Sequence, residues 1–429
     1  MNENVMILGA GLAGLACARA LPGARVFEAE AEPGGMARSH THDGEVFFDR
    51  GCHICHSKDR AWLDLLKIQD PSMVPTAHGR VVNYWHGHWI TYPVQNHLVE
   101  LPAENRIRAL ADFVAAQIEY GGKIPSNYLE WCLAHYGEYI TRSFYAEYTK
   151  KYWRTPMEEM ATDWLGGRLL PSQVEKVIAG AIADQPEDQP AFASFYYPVH
   201  GGYFSLFAPL YDKVNITCGA QAVDLDPKKK QVTFSDGRQE RYEFLASSVP
   251  LPEIVGMIKD APQDSRRAAA VLKHTQMLCV DMVVAREDLT PNHWFYIYDN
   301  DVDASRVSFP GNLAPGSVPA GHTALQAEIF RRTDESIDAS ALADKTVHDL
   351  ARLLKFEAAA VASVHVKDVP YTYIISNHQR AAAVQTIHDW LRGLSIIPMG
   401  MYGEWKFLWS DAAFRSGEKA AHGIRRATA

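Results

Sequence analysis

The chain has 429 residues, 22% of them charged and 47% apolar, with a formal charge of −9. That is enough chain for two or three cores, and the absence of a basic excess excludes charge-driven binding to nucleic acid. The longest apolar runs, such as MLCVDMVVA at 277–285, fall short of the roughly 20 residues a membrane helix needs.

The N-terminus, MNENVMILGAGLAG, has no positive segment and no small-residue cleavage site. It does not read as a signal peptide, so a cytoplasmic location is expected. Six scattered cysteines (17, 52, 55, 132, 218 and 279) read as reduced thiols rather than a disulfide framework.

The first predicted element is a short apolar strand, Val5 to Leu8. It runs into Gly9-x-Gly11-x-x-Gly14 and a helix with apolar spacing. In such a unit Gly9 allows a tight turn, Gly11 lets a pyrophosphate approach the backbone, and Gly14 lets helix pack on strand. The helix start, with Leu12 and Ala13, offers free N–H groups to phosphate. A second strand, ARVFEAE, ends at Glu28, nineteen residues after Gly9, where a ribose-binding carboxylate belongs. The stretch EPGGMARSH then sets Gly34-Gly35-x-x-Arg38-Ser39 just beyond it.

A hairpin turn is expected at Asp43-Gly44, followed by FFDRGCHICHSKD. As a string, Cys52-His53-Ile54-Cys55-His56 is the C-x-x-C-H of c-type haem attachment or half of a zinc site. Zinc needs a second close-spaced ligand pair, which the sequence lacks, and haem attachment needs another compartment. Neither metal nor haem is therefore expected.

Further along, 80–93 reads as a β-hairpin turning at His86-Gly87, and 103–184 reads mostly as helices. A polar, proline-bearing linker follows at 183–192. Strands are expected at 214–234 around an Asp236-Gly237 turn, and a buried strand at 243–250 returns to the first domain. Residues 275–375 read as strand-rich, and 384–429 as a helix, a glycine loop and another helix. The expected fold is α/β: a discontinuous Rossmann-like FAD-binding domain (1–55, 198–265 and 390–429), an inserted helical domain (100–190), and a mostly antiparallel sheet substrate domain (80–97 and 266–389).

The run from 5 to 39 resembles the second glutathione-reductase class of FAD-binding folds. That class includes amine oxidases, protoporphyrinogen oxidase, phytoene desaturases and UDP-galactopyranose mutases. Five further stretches resemble the mutase branch: ITYPVQNHLVELP (90–102), YWRTPMEEMATDWLGGRL (152–169), WFYIYDNDVDASR (294–306), YTYIIS (371–376) and GMYGEWKFLWSDAAFRSGEKAA (400–421). The resemblance implies FAD, reduced for turnover. It is bound by Gly9, Gly11, Leu12, Ala13, Gly14, Glu28, Ala29, Gly34, Gly35, Met36, Ala37, Arg38, Gly51, Cys52, His53, Gly400, Met401 and Asp411.

The resemblance further implies a nucleotide-sugar or other phosphate-bearing substrate held by Gln95, Asn96, Trp153, Arg168, Tyr296, Arg306, Tyr373 and Phe407. Of these, Arg168 and Arg306 would grip a diphosphate, with His53 beside the flavin as a third catalytic group. The implied reaction is a redox-neutral pyranose/furanose rearrangement. Flavin N5 attacks the anomeric carbon, the diphosphate leaves, and the sugar ring opens and recloses. The alternative within the class is an oxidoreductase of the amine oxidase, protoporphyrinogen oxidase or desaturase type.

Other readings of the same residues stay open. Trp164 and Leu165 are expected in a core whatever the function. Arg168 also reads as a surface arginine, and Arg306 as the partner of Asp299, Asp301 or Asp303. Tyr371 and Tyr373 alternate on an expected strand and so share one face. Departures from the mutase pattern gather at the substrate: Met401 replaces an arginine, Phe407 a tyrosine, Phe192 a polar residue and Ile374 a proline.

Overall fold

Val5–Leu8 is buried at all four positions and forms the centre of a five-stranded parallel sheet. The strand order is Ile396–Pro398, Phe244–Ser247, Val5–Leu8, Arg25–Phe27, Ile216–Thr217. A parallel sheet needs both faces covered, and helix Leu12–Ala20 covers one side. It crosses helix Ser410–Thr428 so closely that a Cβ on Gly417 would lie 1.9 Å from the Ala13 carbonyl oxygen. This computed structural model describes residues 4–42, 44–70, 74–120, 122–166, 168–169, 171–186 and 194–428. Asp43, Phe192 and part of the expected linker lie outside the described residues.

A seven-stranded sheet forms the second body. Its order is Val361–Val369, Gln276–Val284, Thr323–Arg331, Arg306–Ser308, Trp294–Ile297, Val81–Trp85, His88–Thr91. All neighbours run antiparallel except Trp294–Ile297 beside Val81–Trp85. Because side chains alternate across a strand, Leu278, Val280, Met282 and Val284 pack with Leu342, Leu350 and Leu353 of helix Ala339–Leu354. Met277 and Cys279 face the other way, toward the inserted helices. The same inner face carries Asp281, Gln326 and Glu328, all buried.

Helix Tyr128–Ile140, the second of the inserted helices, opens on a side-chain cap. Asn127 accepts from the Glu130 N–H at 2.9 Å, and Glu130 accepts from the Ser126 N–H at 2.8 Å. Helix Tyr128–Ile140 meets helix Ala103–Glu119 at Gly137, whose φ is +78° and whose Cβ would stand 2.7 Å from the Asp112 backbone. It continues through a wide π turn, Thr141–Ala146, into Glu147–Tyr152.

The hairpin at 80–93, the turn at Asp236-Gly237 and the strand at 244–247 all form. The strand-rich stretch 275–375 also holds the sixteen-residue helix Ala339–Leu354, with its strong apolar stripe. Helix Arg380–Gly393 packs through Ile387 and Leu391 against the parallel-sheet body, ahead of the expected boundary at 390. The three-residue strand Ile396–Pro398 interrupts what reads as a glycine loop. Among the described residues no helix is long and apolar enough to cross a membrane.

Lys151 pins the insertion to the sheet. Its Nζ donates to the carbonyls of Ile297 at 3.0 Å and Asp299 at 3.1 Å. Burial lowers its ammonium to about 7, against the pull of Asp299, Asp303 and Asp301. The unfolded chain then binds a proton between about pH 7 and the ordinary lysine value near 10.4, whereas the folded chain does not. Stability from this group therefore rises with pH across that window. Melting temperatures measured from pH 7 to 9 should rise in the wild type relative to Lys151→Met. Parallel profiles would show that Lys151 stays charged when folded.

Candidate active site

A cavity of about 860 Å³ opens between the parallel sheet and the inner face of the seven-stranded sheet. At one end it is walled by Gly9, Gly11, Leu12, Ala13, Glu28, Ala29, Gly34, Gly35, Met36 and Ala37. Helix Leu12–Ala20 begins there with no side-chain cap and no acidic residue in its first turn, so its N–H groups remain available to an anion. Glu28 is fixed by the N–H groups of Ala10 at 2.6 Å and Glu30 at 2.9 Å. Gly11 has an ordinary extended backbone, and an added Cβ would meet only Gly35 Cα, at 3.8 Å. The fold alone does not require glycine there; the space in front of it does. This is a fit for FAD: N–H groups for pyrophosphate, a held carboxylate for ribose hydroxyls, and a glycine cradle between.

Two expected cofactor residues lie outside the cavity wall. Gly14 sits beneath the turn, where a Cβ would be 1.9 Å from the Gly9 oxygen. Arg38 turns onto the Phe204 ring at 4.7 Å and pairs with Glu32. Both act on the cradle through packing.

Gly51, Cys52 and His53 line the middle of the cavity, opposite Gly400, Met401 and Asp411. Asp49, just before this loop, is buried and accepts from Ser39 Oγ at 2.6 Å, Tyr197 Oη at 2.8 Å and the Tyr203 N–H at 3.0 Å. Burial pushes its carboxyl up, with His53 and these donors opposing. His53 Nδ1 sits 2.8 Å from the Gly51 carbonyl, and its ring stacks on Tyr203 at 5.2 Å. Burial pushes both the Cys52 and Cys55 thiols up to about 12. Their resting form at neutral pH is the thiol, which is a poor nucleophile and a poor metal ligand.

The far end of the cavity is aromatic. Tyr148, Tyr152, Trp153, Trp164, Tyr296, Tyr373 and Phe407 line it with Arg168 and Arg306. The Arg168 guanidinium lies 3.8 Å from the Phe407 ring centre and 5.6–5.8 Å from those of Trp153, Trp164 and Tyr373. Its Nη1 is buried without a hydrogen-bond partner among the described residues. It is therefore an enclosed cation rather than a surface arginine. Trp164, like Leu165, does pack with the core, yet it also lines this chamber.

Arg306 is paired, but with none of the three expected aspartates. Glu328, fully buried, accepts from Arg306 Nε at 3.0 Å and from Nη2 at 2.8 Å to each oxygen. The same carboxylate accepts from the Cys52 N–H at 2.7 Å. Asp301 and Asp303 pair instead with Arg352 and Lys345, and Asp299 accepts from the His86 N–H.

Gln95 and Asn96 lie behind the chamber. Gln95 Oε1 accepts from Tyr145 Oη at 3.4 Å, and the Asn96 carbonyl abuts Gly180. Tyr371 and Tyr373 do not share a face, because the strand begins only at Ile374. Tyr371 donates to Glu253 at 2.6 Å and stacks on His274 at 4.1 Å, whereas Tyr373 joins Tyr152, Trp153 and Phe407.

Sequence reading passed over Tyr148, Tyr152 and Glu328. The tyrosines recur at helical spacing in YAEYTKKYW, and Glu328 is a lone carboxylate in the apolar strand TALQAEIF. Either pattern was available as a signal. Removing one partner of a buried ion pair leaves the other uncompensated. Glu328→Gln should therefore destabilise the fold by about 3–5 kcal/mol in urea titrations; a cost under about 1 kcal/mol, as for an exposed pair, would contradict the arrangement.

This fold is similar to that of two solved structures. One is a reduced UDP-galactopyranose mutase, 22% identical over 99% of this chain and 96% of that chain, with a TM-score of 0.91. The other is an Exiguobacterium protein assigned as a protoporphyrinogen oxidase, 14% identical over 99% and 98%, with a TM-score of 0.74. Residues 12–392, from the first helix turn to the helix before the last strand, match the flavin containing amine oxidoreductases, and the chain belongs to that family.

Proposed function

We propose that this flavin-dependent enzyme rearranges a nucleotide-linked sugar, or a related anionic sugar, between ring sizes without net oxidation. The observation that carries this reading is Arg168, a part-buried guanidinium whose buried Nη1 has no hydrogen-bond partner among the described residues, opening onto the same cavity as the dinucleotide cradle. A part-buried cation with no carboxylate partner among the described residues calls for an anion, and a diphosphate matches a guanidinium fork. Likeness of fold to a UDP-galactopyranose mutase supports the same substrate class.

When bound, a reduced flavin supplies an electron-rich ring nitrogen as the nucleophile for such a rearrangement. The chain's own residues hold and screen. Arg168 receives the diphosphate and stabilises its departure. Tyr148 and Tyr152 keep their phenolic protons, because burial raises both well above the usual range, and can donate to sugar or phosphate oxygens. Trp153, Trp164, Tyr296, Tyr373 and Phe407 exclude water. Arg306 keeps Nη1 outside its pair with Glu328 and adds a donor. His53, with Nδ1 held at Gly51, retains Nε2 to hold or release a proton on the flavin side.

Oxidation of an amine or a carbon–carbon bond is the second reading. It is favoured by one observation, the uncharged Met401 in the cavity wall. The two separate in an oxygen-free assay with UDP-galactose and related nucleotide sugars, with and without dithionite. Turnover confined to the reduced enzyme, with no net oxidation of product, is the expected result. Substrate-dependent peroxide release by the oxidised enzyme in a parallel aerobic assay without dithionite, or stoichiometric flavin bleaching by an amine, would sink the rearrangement. Arg168→Ala should weaken binding of UDP by about 2–5 kcal/mol in a fluorescence titration; an unchanged affinity would remove Arg168 from the substrate site.

The cofactor half is tested separately. Gly11→Ala should fold and melt close to the wild type yet lose FAD affinity by about tenfold or more, because its methyl group fills the cradle. Gly14→Ala should instead fail to fold. A Gly11→Ala protein purified with full FAD would place the pyrophosphate elsewhere.

A further inference from the structure

His40 and His42 stand two residues apart at the strand Ser39–Thr41, so both rings leave the hairpin on one side. Their Nε2 atoms lie 2.8 and 2.9 Å from one oxygen, Oδ2 of Asp281. Asp281 comes from the inner face of the seven-stranded sheet and is 1% exposed. Its other oxygen accepts from Gln326 Nε2 at 2.7 Å. His365 is the cross-strand partner of Asp281 and stacks on His42 at 4.1 Å. Its Nε2 is buried without a hydrogen-bond partner among the described residues. Among those residues, His40, His42 and Asp281 form the one group of three such side chains whose ligand atoms all lie within 4.8 Å of one another.

We propose that His40, His42 and Asp281 bind a divalent first-row transition cation, with His365 packed on the His42 ring beside them. A buried carboxylate has to be matched by positive charge. The two imidazoles are its ion-pair partners among the described residues, and a divalent cation set among the three groups answers the charge of the buried carboxylate. Nitrogen–oxygen separations of 2.8 and 2.9 Å subtend about 90° at a metal with bonds of roughly 2.0–2.1 Å. Two imidazoles each adjacent to one carboxylate oxygen suit a first-row transition ion, with the remaining positions left to water.

This site is distinct from the flavin cavity, whose walls include none of the four residues. Its effect on that cavity is positional. Gln326 Nε2 also donates to the Asp49 carbonyl at 2.9 Å, so a cation here clamps the 39–49 hairpin that leads into Gly51, Cys52 and His53.

Zinc is the probe. The FAD-loaded protein, first stripped with a chelator, is equilibrated with zinc by dialysis, and bound metal and flavin are measured per chain. One zinc per chain with a raised melting temperature is expected. His42→Gln keeps a hydrogen-bond donor toward Asp281 but removes the imidazole. It should lower zinc affinity by at least about tenfold with flavin content unchanged. His40→Gln repeats the test from the other ligand. Zinc bound equally by wild type and both variants, or no zinc retained by the wild type, would overturn the site.

Discussion

Glu328 is the constraint on which the site depends. A carboxylate stripped of water has to be answered by donors, and this one has three: two from Arg306 and one from the Cys52 backbone. Those donors come from different parts of the fold. Arg306 sits on the neighbouring strand, directly across the ladder from Glu328, and Cys52 sits on the loop that faces the cofactor cradle. One buried oxygen, Glu328 Oε1, therefore ties the sheet to that loop. The tie also divides the labour between the two cavity arginines. Arg306 is neutralised in place, and Arg168 remains, among the described residues, the cavity arginine without a carboxylate partner.

The aromatic end of the cavity follows from the same logic of charge without water. Trp153, Trp164, Tyr373 and Phe407 surround Arg168 with ring faces, which stabilise a guanidinium and leave it unscreened. Phe407, a departure from the mutase pattern, gives up a hydroxyl and gains the closest of these contacts, at 3.8 Å. The wide turn Thr141–Ala146 belongs to this arrangement. By changing the phase of one long helical run, it lets Tyr145 and Tyr148 line the cavity while Lys151 reaches the end of strand Trp294–Ile297.

What the sequence made legible was local chemistry at fixed spacing. Gly9, Gly11 and Gly14, the strand before them and Glu28 after them can be read because each has a job within about thirty residues. His53 was set beside the flavin by the resemblance alone, against the haem-like string it belongs to. The partner of Arg306 was not legible. Asp299, Asp301 and Asp303 are nearer in sequence, and only the register between two strands selects Glu328. Gln95 and Asn96 were carried over by resemblance, but packing of their turn on helix Val174–Ile182 sets them behind the chamber wall. The strand Ile396–Pro398 is too short for any period to appear. His40 and His42 meet Asp281 across some 240 residues of chain, a distance no spacing rule spans.

The crossing of Gly417 over Ala13 has a temporal side. The glycine turn of the cofactor cradle is made from residues 9–14, yet the helix it launches is buried by one that emerges from the ribosome some four hundred residues later. The strand at 396–398 completes the same sheet equally late. Contacts of such long range form slowly, and domains of this kind wait for their last segment. During synthesis the cradle therefore stays uncovered until the helix Ser410–Thr428 has been made.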